Sequence, residues 1–392
     1  MPLSIPAVQR ALREDGLDGW LLYDFHGSNP IARRLTGVDL AAKMTTRRWF
    51  YMIPAEGQPR KLVHAIESHN LDHLPGSKTV YAQRDKLAQG LRDVLDGAKR
   101  VAMEYSPGNA IPYVSRVDAG TVESVRQMGV EVASSGDLVQ RFEAVWSDEA
   151  LQTHRAASDK LYRIKDRAFE LIREARQRGE PVTEGDVQTA MVGWFAEERL
   201  VSDSPPVVAA QENAANPHYM PAREKSRQIG DGEVVLLDLW GKLEKPGAVF
   251  ADITWVGFTG RQVPDRYAEA FAAARDGRDA AIALVKEATA SGRELRGFEV
   301  DRACRTVIER AGFGTDFIHR TGHSLGTEVH GNGVHMDDFE THDERRLIAG
   351  TGFTIEPGVY TKDFGVRTEI NMFIGERDAT VTGPLQREFV LL

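Results

Sequence analysis

Several features are scarce in this sequence, and each scarcity excludes a class of protein. The 392 residues include a single cysteine, Cys304, so an internal disulfide is excluded and a reducing compartment is expected. No stretch approaches the roughly 18 apolar residues of a membrane span, and the start, MPLSIPAVQRALREDG, lacks the pattern of a signal peptide. The chain also lacks a positive balance, because 58 acidic residues outnumber 49 lysines and arginines, and the net charge of −9 argues against nucleic-acid or membrane partners. We therefore expect a cytoplasmic protein.

The length suits two domains, and the pattern of elements changes near residue 147. Before that point helical and strand-like runs alternate: IPAVQRALREDGLD predicts a helix, GWLLYD a buried strand, and RRWFYMIPAEGQPRKLVHAI two strands around a turn. After it, a long helical stretch begins with Ser147 as N-cap, a second helix has Thr183 as its cap, and antiparallel strands follow. We predict an N-terminal α/β domain over residues 1–146 and a larger α+β domain over residues 147–392.

Residues 319–333, HRTGHSLGTEVHGNG, combine three histidines with several glycines. The segment Gly322–Gly326 matches the G-x-S-x-G pattern of serine hydrolases, but that pattern requires a buried strand before the serine. The preceding GTDFIHRT is polar, so we do not expect Ser324 to be a nucleophile. Because the glycines prevent one continuous helix, the loop can instead bring its three histidines toward one site.

Four acidic residues interrupt otherwise apolar, strand-like runs. Asp238 and Asp252 lie on the two strands of a predicted hairpin, Glu356 lies in FTIEPGVY, and Glu369 lies in VRTEINMFI. Buried carboxylates are costly unless they are paired, so either lysine and arginine partners or a bound cation must compensate them. Together with a loop histidine they suit a pair of divalent ions, with manganese favoured and cobalt, zinc or iron as alternatives.

The order Asp…Asp…His…Glu…Glu, within LLDLWG, ADIT, HRTGHSLG, TIEPGVY and VRTEI, resembles that of the pita-bread metallopeptidases. These include aminopeptidase P, prolidase and methionine aminopeptidase. The resemblance extends from about residue 147 to the end, and GSNPIARRLTGV resembles a signature of the N-terminal domain in the prolidase and aminopeptidase P branch. It implies a pita-bread (creatinase/aminopeptidase-like) α+β domain behind a smaller creatinase-type α/β domain, in a homodimer.

The resemblance also implies a role for particular residues. It makes five residues the ligands of two divalent metal ions: Asp238, Asp252, His323, Glu356 and Glu369. It gives catalytic roles to His330, Glu356 and His319, and substrate-binding roles to His218, His319 and Arg367. Arg367 could instead simply neutralise the surplus carboxylates.

The sequence departs from the family pattern in three places. Asp238 and Asp252 are fourteen residues apart, which is longer than usual, although we expect the extra turn residues KLEKPG to leave Asp252 in register. The stretch between His218 and Asp238 is also somewhat long. Trp255 stands where the family often has arginine.

The implied reaction is hydrolysis of an Xaa-Pro bond by a hydroxide that bridges the two metals, with Glu356 as general base. The expected substrate is a dipeptide or peptide with proline in second position, and an Xaa-Pro dipeptidase (prolidase) is the first expectation. The alternatives are an Xaa-Pro aminopeptidase acting on longer peptides, a pita-bread enzyme with non-peptidase chemistry, and a module that only binds protein partners.

Overall fold

The computed structural model describes residues 3–38, 44–222 and 226–392. The chain divides into two compact units, Met1–Glu143 and Ala144–Leu392. Within the described ranges, no helix combines the length and apolar character needed to cross a bilayer. Each unit has hydrophobic cores of its own.

The first unit alternates helices and strands, as its sequence pattern predicts. Its helices are α1 (Ile5–Glu14), α2 (Pro30–Thr36), α3 (Arg84–Leu95), α4 (Ala119–Arg126) and α5 (Gly136–Val139). Its strands are β1 (Gly19–Asp24), β2 (Trp49–Pro54), β3 (Arg60–His64), β4 (Ser77–Tyr81), β5 (Arg100–Met103) and β6 (Glu131–Ser134).

These strands form one mixed sheet in the order β4-β3-β2-β1-β5-β6. β2 runs antiparallel to both β1 and β3, whereas the remaining neighbours pair in parallel. Every residue of β1 is buried, which explains the continuous apolar run GWLLY, since helices cover both faces of such a sheet. Apart from β2, the strands therefore present their carboxyl ends at one edge of the sheet.

The second unit begins with long helices and continues with short strands. Its helices are α6 (Asp148–Arg178), α7 (Glu184–Glu197), α8 (Asp265–Ser291) and α9 (Gly297–Arg310). Its strands are β7 (Leu200–Val201), β8 (Val207–Ala210), β9 (Val234–Leu243), β10 (Ala251–Phe258), β11 (Ser324–Leu325), β12 (Gly352–Ile355), β13 (Gly358–Tyr360), β14 (Gly365–Arg367), β15 (Ile370–Ile374), β16 (Ala379–Val381) and β17 (Val390–Leu391).

Two predicted helix starts in this unit are confirmed. The Ser147 side chain accepts a hydrogen bond from the Ala150 amide, and Thr183 forms a reciprocal capping box with Asp186. Cys304 is fully buried on α9, where burial raises the pKa of its thiol to about 12, so it behaves as a packed core residue.

The hairpin of β9 and β10 separates two cores. Alternate residues of β9, including Val235, Leu237 and Leu239, pack with α6 and α7. The intervening Val234 and Leu236 pack with α8 and α9 on the opposite face. Because side chains alternate across a strand, a residue at the next even position, 238, projects toward the α8 and α9 side.

One prediction about the acidic residues is wrong. Asp238 and Asp252 lie within β9 and β10, but Glu356 and Glu369 do not lie within strands. Glu356 follows the last residue of β12, and Glu369 stands between β14 and β15. The two runs expected to be continuous strands each break at the glutamate, because its backbone amide bonds outside the local ladder, to Thr321 O (2.7 Å) for Glu356 and to Thr254 O (3.1 Å) for Glu369.

A buried histidine should make the stability of this unit depend on pH. His154 on α6 is fully buried, its Nδ1 donating to Phe250 O and its Nε2 accepting from the Thr382 hydroxyl, both at 2.7 Å. Desolvation lowers the pKa of His154 to about 4, below its ordinary value of 6.5. Between these two pH values the imidazole binds a proton in the unfolded chain but not in the folded chain, so the free energy of unfolding falls as the pH falls.

We therefore expect His154 to lower the free energy of unfolding by about 3 kcal/mol when the pH falls from 6.5 to 4. Urea unfolding at several pH values should show that His154→Gln loses that much less stability on acidification than the wild type. Thr382→Val removes the hydrogen bond but keeps the imidazole, so it should retain the wild-type pH dependence. Equal slopes for the wild type and His154→Gln would contradict this account.

Candidate metal centre

The hairpin places two carboxylates side by side on one face. Asp238 pairs across the ladder with Thr254, and Asp252 pairs with Trp240, so the two aspartates are diagonal neighbours on the same face. The long turn therefore keeps Asp252 in register with Asp238, as expected. Both are buried, with 9% of Asp238 and 5% of Asp252 exposed.

A second sheet brings the two glutamates to this face. β12 and β15 pair antiparallel, with Ile355 opposite Ile370, so the residues that flank this pair, Glu356 and Glu369, lie next to each other. The bond from the Glu369 amide to Thr254 O attaches this sheet directly to β10. Glu369 is 2% exposed, whereas Glu356 is half-buried.

His323 approaches the same carboxylates from the glycine-rich loop. Its amide donates to Thr354 Oγ1 at 2.9 Å, and its Nε2 lies 3.6 Å from Asp252 Oδ2 and 3.4 Å from Glu356 Oε1. Its Nδ1 lies 3.2 Å from Ser324 O, and since a carbonyl only accepts, Nδ1 carries the proton. Desolvation lowers the pKa of His323 to about 3, so Nε2 is an unprotonated acceptor that faces two carboxylates.

Acceptor atoms that converge without a donor between them indicate a cation site. Among the described residues, Asp252 Oδ1 and Glu369 Oε1 are buried without a hydrogen-bond partner. Asp252, His323 and Glu369 each offer a ligand atom, and these three atoms lie within 4.8 Å of one another. A histidine whose other nitrogen donates to a backbone carbonyl is the usual arrangement of a metal ligand. These residues fit a divalent metal ion.

Burial and mutual repulsion also shift the pKa values of the carboxylates in this cluster. Burial, reinforced by the neighbouring carboxylates, raises the pKa of Asp252 and of Glu369 well above the ordinary range. Burial also raises the pKa of Asp238, although the Arg367 guanidinium works against the shift. A divalent ion would reverse this cost, because it stabilises the ionised form of each ligand.

Arg367 is occupied by protein groups on all three of its nitrogens. Nε donates to Thr254 Oγ1 and Nη1 to Tyr360 OH, both at 3.0 Å, and Nη2 forms an ion pair with Asp238. Burial disfavours its charge, but Tyr360, Asp238 and further carboxylates hold the pKa of Arg367 above its ordinary value. This geometry favours charge neutralisation over direct contact with a substrate.

His319 continues the chain of hydrogen bonds that starts at Arg367. Its Nδ1 lies 2.7 Å from Arg320 O and its Nε2 lies 2.9 Å from Tyr360 OH. Nδ1 must therefore donate to the carbonyl, and Tyr360 must donate to Nε2. Desolvation lowers the pKa of His319 to about 3, which keeps this neutral tautomer. Both ring nitrogens are thus used within the protein.

The other two histidines lie at the solvent side of the cluster. The ring of His330 stands edge-on to that of His323, with centroids 4.3 Å apart, although His330 is exposed. The protein around it nevertheless lowers its pKa to about 4 by desolvation, and charge on Arg320 and His218 adds to the shift. His218 is exposed on a loop that includes Asn213 and Tyr219.

Sequence reasoning missed the residues that hold these groups in place. The Thr254 hydroxyl contacts Asp238 Oδ1 (3.1 Å) and Glu369 Oε2 (2.7 Å), and Thr354 donates to Glu356 Oε1 (3.0 Å). Asn371 brackets the backbone of Asp252, accepting from its amide at 3.0 Å and donating to its carbonyl. All three lie two positions from a candidate ligand, and that spacing is the signal that could have found them.

Glu184 is a further residue that the sequence analysis did not identify. It is fully buried at the start of α7. Its carboxylate accepts hydrogen bonds from the Ala210 backbone amide, the Asn213 side-chain amide and the Tyr219 hydroxyl. These bonds tie down the loop that carries His218. No local pattern predicts this role, because the partners are distant in sequence.

Ser324 has the surroundings of a structural residue. It is 2% exposed, its amide donates to His335 Nδ1 at 3.1 Å, and its hydroxyl accepts from the Gly333 amide at 3.0 Å. A Cβ at Gly333 would lie 2.5 Å from that hydroxyl oxygen, so the loop needs glycine there. Ser324 therefore closes the loop on itself and is not presented to a substrate.

Relatives with assigned functions match part of this chain. An Xaa-Pro dipeptidase of Lactobacillus delbrueckii subsp. lactis is 34% identical over 164 residues, which are 42% of this chain and 40% of that protein. A Mycoplasma pneumoniae protein, provisionally named an Xaa-Pro aminopeptidase, is 30% identical over 165 residues, or 41% of each chain. The match therefore spans less than half the length of these relatives.

Solved structures match the fold of nearly the whole chain. The dipeptidase PepE of Mycobacterium ulcerans aligns with a TM-score of 0.68 at 22% identity, covering 99% of this chain and 96% of that one. A dipeptidase of Pyrococcus horikoshii OT3 aligns with a TM-score of 0.61 at 25% identity, covering 99% of both chains.

The expected fold and the expected class of enzyme are both confirmed by these comparisons. The chain has the pita-bread α+β fold preceded by an N-terminal domain. The model of metallopeptidase family M24 matches residues 152–376, which is more than half of the chain and includes every residue of the candidate metal centre. This protein therefore belongs to metallopeptidase family M24.

Proposed function

We propose that this metallopeptidase is an Xaa-Pro dipeptidase that works with two divalent metal ions. Manganese is the first candidate, and cobalt, zinc and iron are the others, because a set of carboxylates with one imidazole suits hard or borderline ions. The proposed ligands are Asp238, Asp252, His323, Glu356 and Glu369.

The observation that carries this proposal is the convergence of buried acceptors around His323 Nε2. The carboxylates of Asp252 and Glu369 each have a buried oxygen without a hydrogen-bond partner in the described residues. Four carboxyl groups share this face, and Arg367 forms an ion pair with one of them, Asp238. Three negative charges therefore remain, and one divalent ion would leave one of them uncompensated, which supports a second ion.

When bound, the ions supply Lewis acidity, which makes water a nucleophile at neutral pH and polarises the scissile carbonyl. We assign the general base to Glu356, whose half-buried carboxylate is held at Oε1 by Thr354. Its Oε2 accepts no hydrogen bond in the described part of the chain, so it can take the proton of the attacking water. It can then pass that proton to the prolyl nitrogen that leaves.

The solvent side of the site would bind and orient the peptide. We assign His330 to the developing oxyanion, since its low pKa leaves it neutral with one N–H to donate. His218, on the loop anchored by Glu184, would contact the substrate. His319 would act through Tyr360 as a positioning residue, and Arg367 would hold Asp238, which would meet the amino terminus of the substrate.

The substrate is proposed from the relatives. The Lactobacillus delbrueckii protein is named an Xaa-Pro dipeptidase. An Xaa-Pro bond is a tertiary amide without an N–H and with a fixed φ, so it needs a dedicated site. The provisional name of the Mycoplasma pneumoniae relative supports the alternative, an Xaa-Pro aminopeptidase that cleaves longer peptides.

Two further expectations remain proposals. We propose a homodimer, on the basis of the family resemblance, with the N-terminal unit as the creatinase-type domain. We also propose a cytoplasmic location, which the single buried cysteine supports because a reducing compartment leaves such a thiol intact.

Removal of metal should abolish the activity. We expect hydrolysis of an Xaa-Pro dipeptide to stop after treatment with a chelator and to return when manganese, cobalt or zinc is added. A serine-directed inhibitor, and the variant Ser324→Ala assayed beside the wild type, should leave catalysis by metal-loaded protein intact. Hydrolysis that survives the chelator and is lost with the inhibitor would disprove the metal mechanism.

Replacement of one proposed ligand should affect stability in opposite directions with and without metal. Asp252→Asn removes a buried carboxylate that its neighbours repel. Without metal, its free energy of unfolding should therefore be roughly 1–3 kcal/mol higher than that of the metal-free wild type. With metal present the order should reverse, and elemental analysis should find less metal bound.

The control is Glu244→Gln, which removes an exposed carboxylate at the tip of the same hairpin. It should match the wild type in metal content and in both stabilities. If Asp252→Asn binds as much metal as the wild type, Asp252 is not a ligand.

The length of the substrate distinguishes dipeptidase from aminopeptidase. We expect kcat/KM for Xaa-Pro dipeptides to exceed that for the matching Xaa-Pro-Xaa tripeptides, because a dipeptidase pocket accommodates a free carboxylate directly after proline. Both series should be measured on one metal-loaded preparation, with Xaa-Ala dipeptides as the control for the prolyl ring. Cleavage of the tripeptides alone would establish the aminopeptidase.

A further inference from the structure

The first unit contains a cavity of about 610 Å³ that the peptidase site does not explain. Its lining includes the ends of three parallel strands, through Tyr23 and Phe25 at β1, His64 at β3 and Tyr81 at β4. It also includes the first residue of α3, Arg84. A crevice at the carboxyl ends of parallel strands is where open α/β sheets bind ligands, and this volume suits a small molecule.

The charge of the lining is opposite to that of the chain. Three arginines, Arg47, Arg48 and Arg84, line the cavity, whereas the chain carries a net charge of −9. Asp118 is the acidic group of the lining, and its carboxylate already accepts from Tyr23 OH (3.0 Å), Thr121 Oγ1 (2.8 Å) and the Thr121 amide (2.9 Å). The cavity therefore keeps a surplus of positive charge.

The guanidinium groups of these arginines are not paired with a carboxylate in the part of the chain that the structure describes, although Glu67 accepts a hydrogen bond from the Arg47 backbone amide at 3.1 Å. In the described ranges, no ion pair involves Arg47, Arg48 or Arg84, and all three are exposed at the cavity. Arg84 also begins α3, whose N-cap residue, Gln83, makes no side-chain hydrogen bond to the first turn. The free amides of that turn add to the attraction for an anion.

Aromatic rings form another part of the lining. Tyr23 and Tyr81 are buried, and Phe25 is 43% exposed at the cavity. His64 stands edge-on to Tyr81, with ring centroids 4.9 Å apart. Its Nδ1 accepts from the Ile66 amide at 3.2 Å, so the neutral ring carries its proton on Nε2 and can donate from there. A flat ring would find stacking partners and one donor.

We propose that this cavity binds a small phosphorylated molecule that carries a planar ring. Three arginines and a helix N-terminus suit the double charge and the three acceptor oxygens of a phosphate monoester better than a single carboxylate. The rings around the cavity would hold the organic part. This site is separate in sequence from every residue proposed for peptide hydrolysis.

Phenyl phosphate is the probe of choice, titrated by calorimetry into the full-length, metal-loaded protein at low ionic strength. We expect binding that is weakened at least tenfold by Arg84→Glu and by Arg48→Glu, since each variant loses a charge-assisted hydrogen bond and adds a charge that repels the phosphate. The matched control is Arg92→Glu, an exposed arginine in the last turn of the same helix, which should bind like the wild type. Circular dichroism should be unchanged in all three variants, because all three residues are exposed.

Three comparisons can overturn the proposal. Binding that survives Arg84→Glu would belong elsewhere, for example at the metal centre. Benzoate that binds as tightly as phenyl phosphate would exclude the preference for a phosphate, and inorganic phosphate that binds as tightly would exclude the ring. A loss of affinity in Arg92→Glu equal to that in Arg84→Glu would show only a general response to surface charge.

Discussion

The repulsion among carboxylates held close together on the hairpin face is the constraint on which the second unit depends. Strands β9 and β10 bury Asp238 and Asp252 on one face, and Glu369 is held there by the hydrogen bond that its backbone amide donates to Thr254 O. Such an arrangement is unfavourable in isolation, because each ionised group loses its hydration and repels the next. The fold withstands it because the ladder hydrogen bonds on both sides fix the backbone independently of these side chains.

A series of hydrogen bonds through neutral groups extends from Arg367 and fixes the side chains around the carboxylates. Arg367 compensates Asp238, and its remaining nitrogens hold Thr254 and Tyr360. Tyr360 in turn fixes His319, whose other nitrogen ends the series on a backbone carbonyl. Each member has one assignment of its proton, because the guanidinium only donates and the carbonyl only accepts. A site built in this way is rigid before any ligand arrives, which is what electrostatic catalysis requires.

The sequence predicted the parts of this site that violate a local rule. An aspartate inside VVLLDLW stands out because the strand is buried on both faces, and so the candidate ligands could be named. Thr254 and Thr354 are ordinary strand residues, and no local rule links them or Asn371 to the candidate ligands, so only the alternation of the strands relates these residues to the site. The strand breaks at Glu356 and Glu369 depend on backbone amides that donate to distant carbonyls, Thr321 O in the glycine-rich loop and Thr254 O in β10, and no pattern within a single run records that. The arginines of the first unit are similarly scattered, at 47, 48 and 84, and only the sheet brings them to one cavity.

Two of the departures from the family pattern, Trp255 and the longer hairpin turn, are explained by the alternation and register of β9 and β10. Asp252 and Thr254 project toward the carboxylates, so Trp255 projects to the opposite face, where the Lys165 ammonium lies 3.8 Å from the centroid of its ring. Tyr162 packs edge-on against the same ring, so this face belongs to the core formed with α6. A side chain at position 255 therefore points away from the candidate ligands, and Trp255 packs against α6 on the opposite face. The longer turn is equally neutral, because residues added at a hairpin tip alter the side-chain face only if they shift the register, and here Asp238 still pairs with Thr254.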